Sequence, residues 1–166
     1  VTVQDLLKGA IIVSGNDAHG HKKLSDELAR ESDSFATAAT HPDEPAFWLY
    51  SSGSTGHPKG CVHLQHDMLV CAKLYAEDVL GMSEEDRCFS VAKLFFAYGL
   101  GNGGYCPLAL GAAIVLWPGA PPAANVYAVI EQHRPTLFFS VPTSYGMLLA
   151  LHREPEPDFD LSSIRQ

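Results

Sequence analysis

The run Tyr50-Ser51-Ser52-Gly53-Ser54-Thr55-Gly56-His57-Pro58-Lys59-Gly60 concentrates the groups best suited to holding an anion. Its three glycines free the backbone to present N–H donors, and its four hydroxyls can turn toward negative charge. Lys59 adds a point charge, and Pro58 stiffens its approach. Many donors, one cation and no competing carboxylate are what a polyphosphate requires. A flexible Gly/Ser linker has no reason to sit between the apolar segments Phe47-Trp48-Leu49-Tyr50 and Cys61-Val62-His63-Leu64. The spacing is not that of the Walker loop. Counted from Gly53, Pro58 stands where the second glycine belongs and Gly60 where the metal-binding hydroxyl belongs. Val62 and Leu64 follow instead of a helix start, so the loop reads as the tip of a β-hairpin.

The elements around the loop read as α/β. Strand-like apolar runs fall at Ala46–Tyr50, Cys88–Ala92, Ala113–Trp117 and Thr136–Val141. Consecutive apolar residues mark strands buried on both faces. Helical stretches lie between them. The clearest is Asp67–Leu80, with Leu69, Ala72, Ala76, Val79 and Leu80 on one face; Ala123–Gln132 and Pro142–Leu151 are two more. Strand and helix in alternation predict a predominantly parallel sheet flanked by helices. Upstream, Lys8–Gly15 holds a short buried strand, Asn16–Lys23 reads as a loop and Leu24–Arg30 as a short helix. His41-Pro42-Asp43-Glu44-Pro45 then blocks regular structure.

Composition narrows the class. The 166 residues are 46% hydrophobic, enough for a core and against disorder. Eleven basic and 19 acidic residues give a net charge of −8, which argues against nucleic acid or an anionic membrane as partner. The longest apolar run, near Leu108–Trp117, falls short of the ~18 residues of a membrane span. Four cysteines at 61, 71, 88 and 106 show neither C-x-x-C pairing nor metal-ligand rhythm, and predict buried, reduced thiols in the cytoplasm. Charged residues make up only 18%, so part of the surface is expected to be covered by further protein. The chain reads as a piece of a larger one.

At these residues the sequence resembles a known family. Tyr50 to Gly60 is similar to the phosphate loop of the adenylate-forming enzymes. Lys93-Leu94-Phe95-Phe96-Ala97-Tyr98-Gly99-Leu100-Gly101-Asn102 narrows the resemblance to benzoate–CoA ligases and their hydroxybenzoate relatives. Phe138-Phe139-Ser140-Val141-Pro142-Thr143 and Asp160-Leu161-Ser162-Ser163-Ile164-Arg165 follow in that family's order. The resemblance implies that residues 1–166 are part of a larger N-terminal AMP-binding domain, without the C-terminal lid domain. It implies a two-step reaction, in which benzoate and Mg-ATP give benzoyl-adenylate and pyrophosphate, and coenzyme A then displaces AMP. Phosphate binding falls on Ser51, Ser52, Gly53, Ser54, Thr55, Gly56 and Lys59, with Lys59 and Thr55 as catalytic groups and Thr55 also matched to a position that touches Mg²⁺. The aryl site falls on Phe96, Ala97, Tyr98 and Gly99, where Gly99 starts a helix. Partners would be small molecules, with no nucleic acid and no membrane, and the intact enzyme could form a homodimer.

Alternatives are a ligase for 4-hydroxybenzoate or another cyclic acid, or a non-catalytic module that docks phosphate. The adenine, ribose, principal metal and CoA contacts and the C-terminal catalytic lysine have no counterpart, so the 166 residues alone are expected to be inactive. They are also expected to leave Leu137 and Phe139 exposed on an unpaired strand. His63 and His66 read as ordinary histidines at a strand end and a helix start, Lys93 as a side chain snorkelling from the sheet edge, and Ser83-Glu84-Glu85-Asp86 as a capped turn.

Overall fold

The computed structural model describes residues 12–14, 20–52, 56–152 and 159–166. The backbone divides into two compact units, Val1–Ala39 and Thr40–Gln166. In the first, β1 (Ile12–Val13) pairs in parallel with β2 (Lys22–Lys23), and α1 (Leu24–Leu28) follows. Two expectations change here. Lys22–Lys23 is strand rather than loop, and Ile12 is 50% exposed rather than buried.

The second unit opens on an antiparallel hairpin, β3 (Pro45–Ser52) with β4 (Pro58–Leu64). The hairpin was legible in the sequence, but its burial was not. Trp48 and Tyr50 are exposed, so this apolar run is not a strand covered on both faces.

A three-stranded parallel sheet forms the centre, with β5 (Arg87–Ser90) between β6 (Ala113–Val115) and β7 (Leu137–Phe139). Helices cover both faces. Alternation along β5 turns Cys88 to one side and Phe89 to the other. Cys88, Leu137 and Phe139 pack with Ala72 and Ala76 of the helix that begins at Asp67 and with Cys106 of the helix that begins at Ala97. Phe89 packs with Val126, Val129 and Ile130 of α4 (Ala123–His133) and Leu148 of α5 (Pro142–His152).

Two helices depart from α geometry. Helix α2 runs through Asp67–Cys71 and continues as π turns over Ala72–Glu77. Helix α3 runs through Ala97–Leu100, π turns over Gly101–Tyr105, and Cys106–Ala109. The small side chains of Ala72 and Ala76 let α2 approach the sheet, whereas Leu69 and Val79, predicted on the same face, are exposed. Leu137 and Phe139 are buried, contrary to expectation. The chain end explains part of this. Phe138 N donates to Gln166 O at 3.0 Å and Arg165 N to Thr136 O at 2.9 Å, so the last residues lie along the edge of β7.

Asp86 is more than a turn residue. It is 5% exposed, its Oδ2 accepts from Ser83 N at 2.9 Å, and its Oδ1 accepts from Thr136 Oγ1 at 2.6 Å. Arg165 closes the group, with Nε 2.9 Å from Oδ1 and Nη2 2.8 Å from Oδ2.

Candidate functional site

The hairpin sets the geometry of the run predicted to bind an anion. Ser51 pairs with Lys59 and Ser52 with Pro58 at its tip, which places the lysine directly across from the hydroxyl-bearing strand. Ser51, Ser52, Gly56 and Lys59 are all exposed. Gly56 has φ 85°, in the left-handed region where glycine alone is unstrained. Gly53, Ser54 and Thr55 lie outside the described residues.

The base of the hairpin is tied to α2. Asp67 Oδ2 accepts from Leu64 N at 3.0 Å and lies 3.3 Å from His63 Nδ1. The His63 ring stacks on Phe47 at 4.8 Å, and His66 Nδ1 lies 3.0 Å from Pro42 O. Both histidines serve the fold, as expected. Among the described residues, no group of three or more His, Cys, Asp or Glu is placed to hold a metal.

The second predicted segment leaves the C-terminal end of β5, where parallel sheets commonly present their ligand sites. Lys93 does not snorkel. Its ammonium donates to Trp117 O at 2.6 Å and Gly119 O at 2.8 Å and lies 4.9 Å from the Trp117 ring centroid. Two carbonyl acceptors and an aromatic face supplied by the loop after β6 outweigh solvation at the sheet edge. The turn from 93 to 99 is thereby pinned at its first residue.

Helix α3 starts at Ala97, two residues before the expected Gly99. Gly99 is buried, and a Cβ there would clash with the backbone oxygens Lys93 O and Ala92 O. Backbone carbonyls cannot rotate away. Gly99→Ala is therefore expected to destabilise the intact protein by about 1–3 kcal/mol, the usual range for overpacking. Urea unfolding monitored by circular dichroism measures this, and an unshifted midpoint would show that the turn relaxes freely.

A cavity of about 200 Å³ opens between α2 and α3, lined by Cys71, Tyr75, Ala97, Tyr98, Asn102 and Tyr105, with Gly101 and Cys106 completing it. A cavity of about 150 Å³ suffices for benzene. Ala97 and Tyr98 are exposed at one end, while Gly101, Asn102 and Cys106 are buried at the other. The lining holds no ordinary acid or base. Burial raises the Tyr75 and Tyr98 hydroxyls above the usual range. It raises that of Tyr105 as well, and it pushes the Cys106 thiol up to about 12. All four stay neutral at neutral pH, so the cavity suits an uncharged ring.

Phe96 lies outside this lining. It is 57% exposed, with its ring 4.6 Å from that of Phe95. Sequence reasoning missed Cys71, Tyr75, Asn102, Tyr105 and Cys106. Their signal was present, because Cys71 and Tyr75 are four apart on α2, and Tyr98, Asn102 and Cys106 are four apart on α3. The π turns of both helices fall on this lining, a deviation frequent at functional sites. Cys71 and Tyr105 also border a cleft of about 330 Å³ with Phe47 and His63, so the hairpin base and the cavity share walls. Of the four thiols, Cys88 and Cys106 are buried as predicted, Cys71 is half-buried and Cys61 is exposed on β4.

The chain is 49% identical over 140 residues to the benzoate–CoA ligase of Thauera aromatica, covering 84% of this chain and 26% of that protein. It is 46% identical over 140 residues to the 4-hydroxybenzoate–CoA/benzoate–CoA ligase of Rhodopseudomonas palustris, with the same coverage of 84% and 26%. Its backbone is similar to that of an anthranilate CoA ligase solved in complex with anthranoyl-AMP, with TM-score 0.84 and 38% identity, covering 94% of this chain and 30% of that one. The chain thus spans about a quarter of the length of the curated relatives it matches. The model of the AMP-binding enzyme family matches residues 2–166, a range that takes in both the hairpin and the cavity between α2 and α3, and the chain belongs to that family.

Proposed function

We propose that this chain forms the phosphate-binding and aryl-binding part of an AMP-forming acid–CoA ligase acting on benzoate or a close analogue. The observation that carries this reading is the neutral, ring-sized cavity between α2 and α3 of a family member. A carboxylate is a poor electrophile because its leaving group is oxide. Transfer to AMP supplies a good leaving group, and coenzyme A then displaces it to give the thioester.

In this reading Ser51, Ser52, Gly53, Ser54, Thr55 and Gly56 cradle the ATP phosphates, and Lys59 meets the charge that develops on departing pyrophosphate. Ala97 and Tyr98 wall the aryl group, and Gly99 lets α3 begin close under the 92–93 carbonyls. Magnesium would offset phosphate charge. The described residues provide no acidic cluster for it, and no step here rests on it. Residues 1–166 belong, on this reading, to the N-terminal domain of a cytoplasmic enzyme whose lid domain and catalytic lysine lie on further sequence. A homodimer is compatible with it.

The test is benzoate-dependent ATP–pyrophosphate exchange by the intact protein, followed by AMP release and thioester formation with coenzyme A. Absence of exchange with every aryl acid overturns the reading. Within it, Ala97→Phe is expected to fill the cavity mouth and abolish benzoate turnover. The overpacking costs about 1–3 kcal/mol, which leaves a large domain folded. ATP affinity should hold, and normal benzoate kinetics would make Ala97 an ordinary packing residue.

A further inference from the structure

We infer that Tyr105, tied to Cys71, is the partition that limits the aryl site to one ring, and that the cleft behind it is a latent subsite for a second ring. The inference deepens the ligase reading above and rests on it. Two spaces meet at these side chains. Cys71 and Tyr105 are the two residues common to the linings of the cavity of about 200 Å³ between α2 and α3 and the cleft of about 330 Å³ at the hairpin base. They are also bonded to each other, because Tyr105 Oη donates to Cys71 Sγ at 3.4 Å and so joins α3 to α2 along the boundary. The tip of the phenol rests on Gly101, which borders the cavity alone: a Cβ there would stand 3.4 Å from the hydroxyl. Burial, and then the bond to Cys71, raises this hydroxyl above its usual range, with further help from Cys106 on the cavity side and Asp67 on the cleft side. It stays protonated at neutral pH and keeps its bond to the sulfur.

The two sides differ in what they can hold. The cavity takes one ring, since about 150 Å³ suffices for benzene. The cleft adds Phe47, Met68, Val70 and Leu74, an apolar lining that suits a second ring, while its His63 and Asp67 already face each other at 3.3 Å. A carboxylate keeps its solvation at the exposed end of the cavity, beside Ala97 and Tyr98, where it must meet ATP. A para substituent then extends inward, and Tyr105 stands between it and the cleft.

The experiment compares kcat/KM for biphenyl-4-carboxylate with that for benzoate in the intact enzyme, by pyrophosphate exchange. The wild type should prefer benzoate strongly. Tyr105→Ala removes the ring and should raise the biphenyl-to-benzoate ratio at least tenfold, since a single misfitted methylene in an apolar pocket already changes kcat/KM by about 10–200-fold. Tyr105→Leu serves if the alanine does not fold. Each ratio is read within one sample, so the folded fraction cancels. A second change separates use of the cleft from a general loosening. Met68 is half-buried and borders the cleft alone, so Met68→Trp combined with the Tyr105 variant should take the gain away. A wild type that handles both acids equally, Tyr105 variants whose ratio does not rise, or a gain that survives Met68→Trp overturns the inference alone. No adenylation of any aryl acid overturns it together with the ligase reading.

Discussion

Lys59→Ala in the intact protein is expected, on the ligase proposal, to slow acyl-adenylate formation by about 10²–10³-fold, the usual loss when one preorganised group facing transition-state charge is removed. Lys59 lies opposite Ser51 at the tip of a hairpin whose other end is tied through Asp67 to α2. Its backbone is positioned before nucleotide arrives, so the rate gain comes from placement. On that proposal the charge meets phosphate and not the acid, so the benzoate KM should change little while kcat falls. Single-turnover formation of the adenylate separates this from slow product release. Lys59→Arg should recover part of the rate, because the charge survives and its geometry does not. An unchanged rate in Lys59→Ala removes this residue from the site.

The second large effect concerns stability. Arg165→Ala leaves the Asp86 carboxylate buried without its counter-ion, at an expected cost of about 3–5 kcal/mol, or roughly 10 °C in the thermal midpoint. The pairing also makes the fold sensitive to acid. Hydrogen bonds from Arg165 hold the Asp86 carboxyl well below the usual carboxylate range, against the opposing pull of burial, with further help from Thr136 Oγ1 and the Ser83 amide. The unfolded chain takes up a proton at this carboxyl at higher pH than the folded one does. The stabilisation is therefore complete above the ordinary carboxylate pKa and is lost as the pH falls below about 5. Wild type should lose stability steeply over that window, and Asp86→Asn should flatten the profile while lowering stability at neutral pH. Equal slopes in urea titrations from pH 7 to pH 3 would show that other carboxylates govern acid unfolding.

Lys93 and Asp86 show why some of this was illegible. Each looked like a surface residue, one charge in an apolar run and one acid in an acidic turn. Lys93 is held by carbonyls 24 and 26 residues away, and Asp86 by an arginine 79 residues away. Local pattern has no access to such separations. The same holds for burial of the hairpin, where the apolar run Phe47–Tyr50 foretold a strand but not that Trp48 and Tyr50 would be exposed.

The sequence by itself determined what depends on near neighbours. Glycine, hydroxyl and lysine spacing specified a hairpin tip with the composition of an anion site, because backbone freedom and donor density are local properties. Alternation of apolar runs with helical periods specified a parallel sheet covered on both sides, because each period states which face of an element must leave water. Tertiary structure alone decided what those faces meet. Whether Tyr75 and Asn102 would enclose a cavity or fill a core depended on how closely Ala72 and Ala76 let α2 approach the sheet, and on the π turns that re-aim both helices. Hydrophobic burial is non-directional. It brings the helices together, and only close packing settles which side chains touch and how much space remains between them.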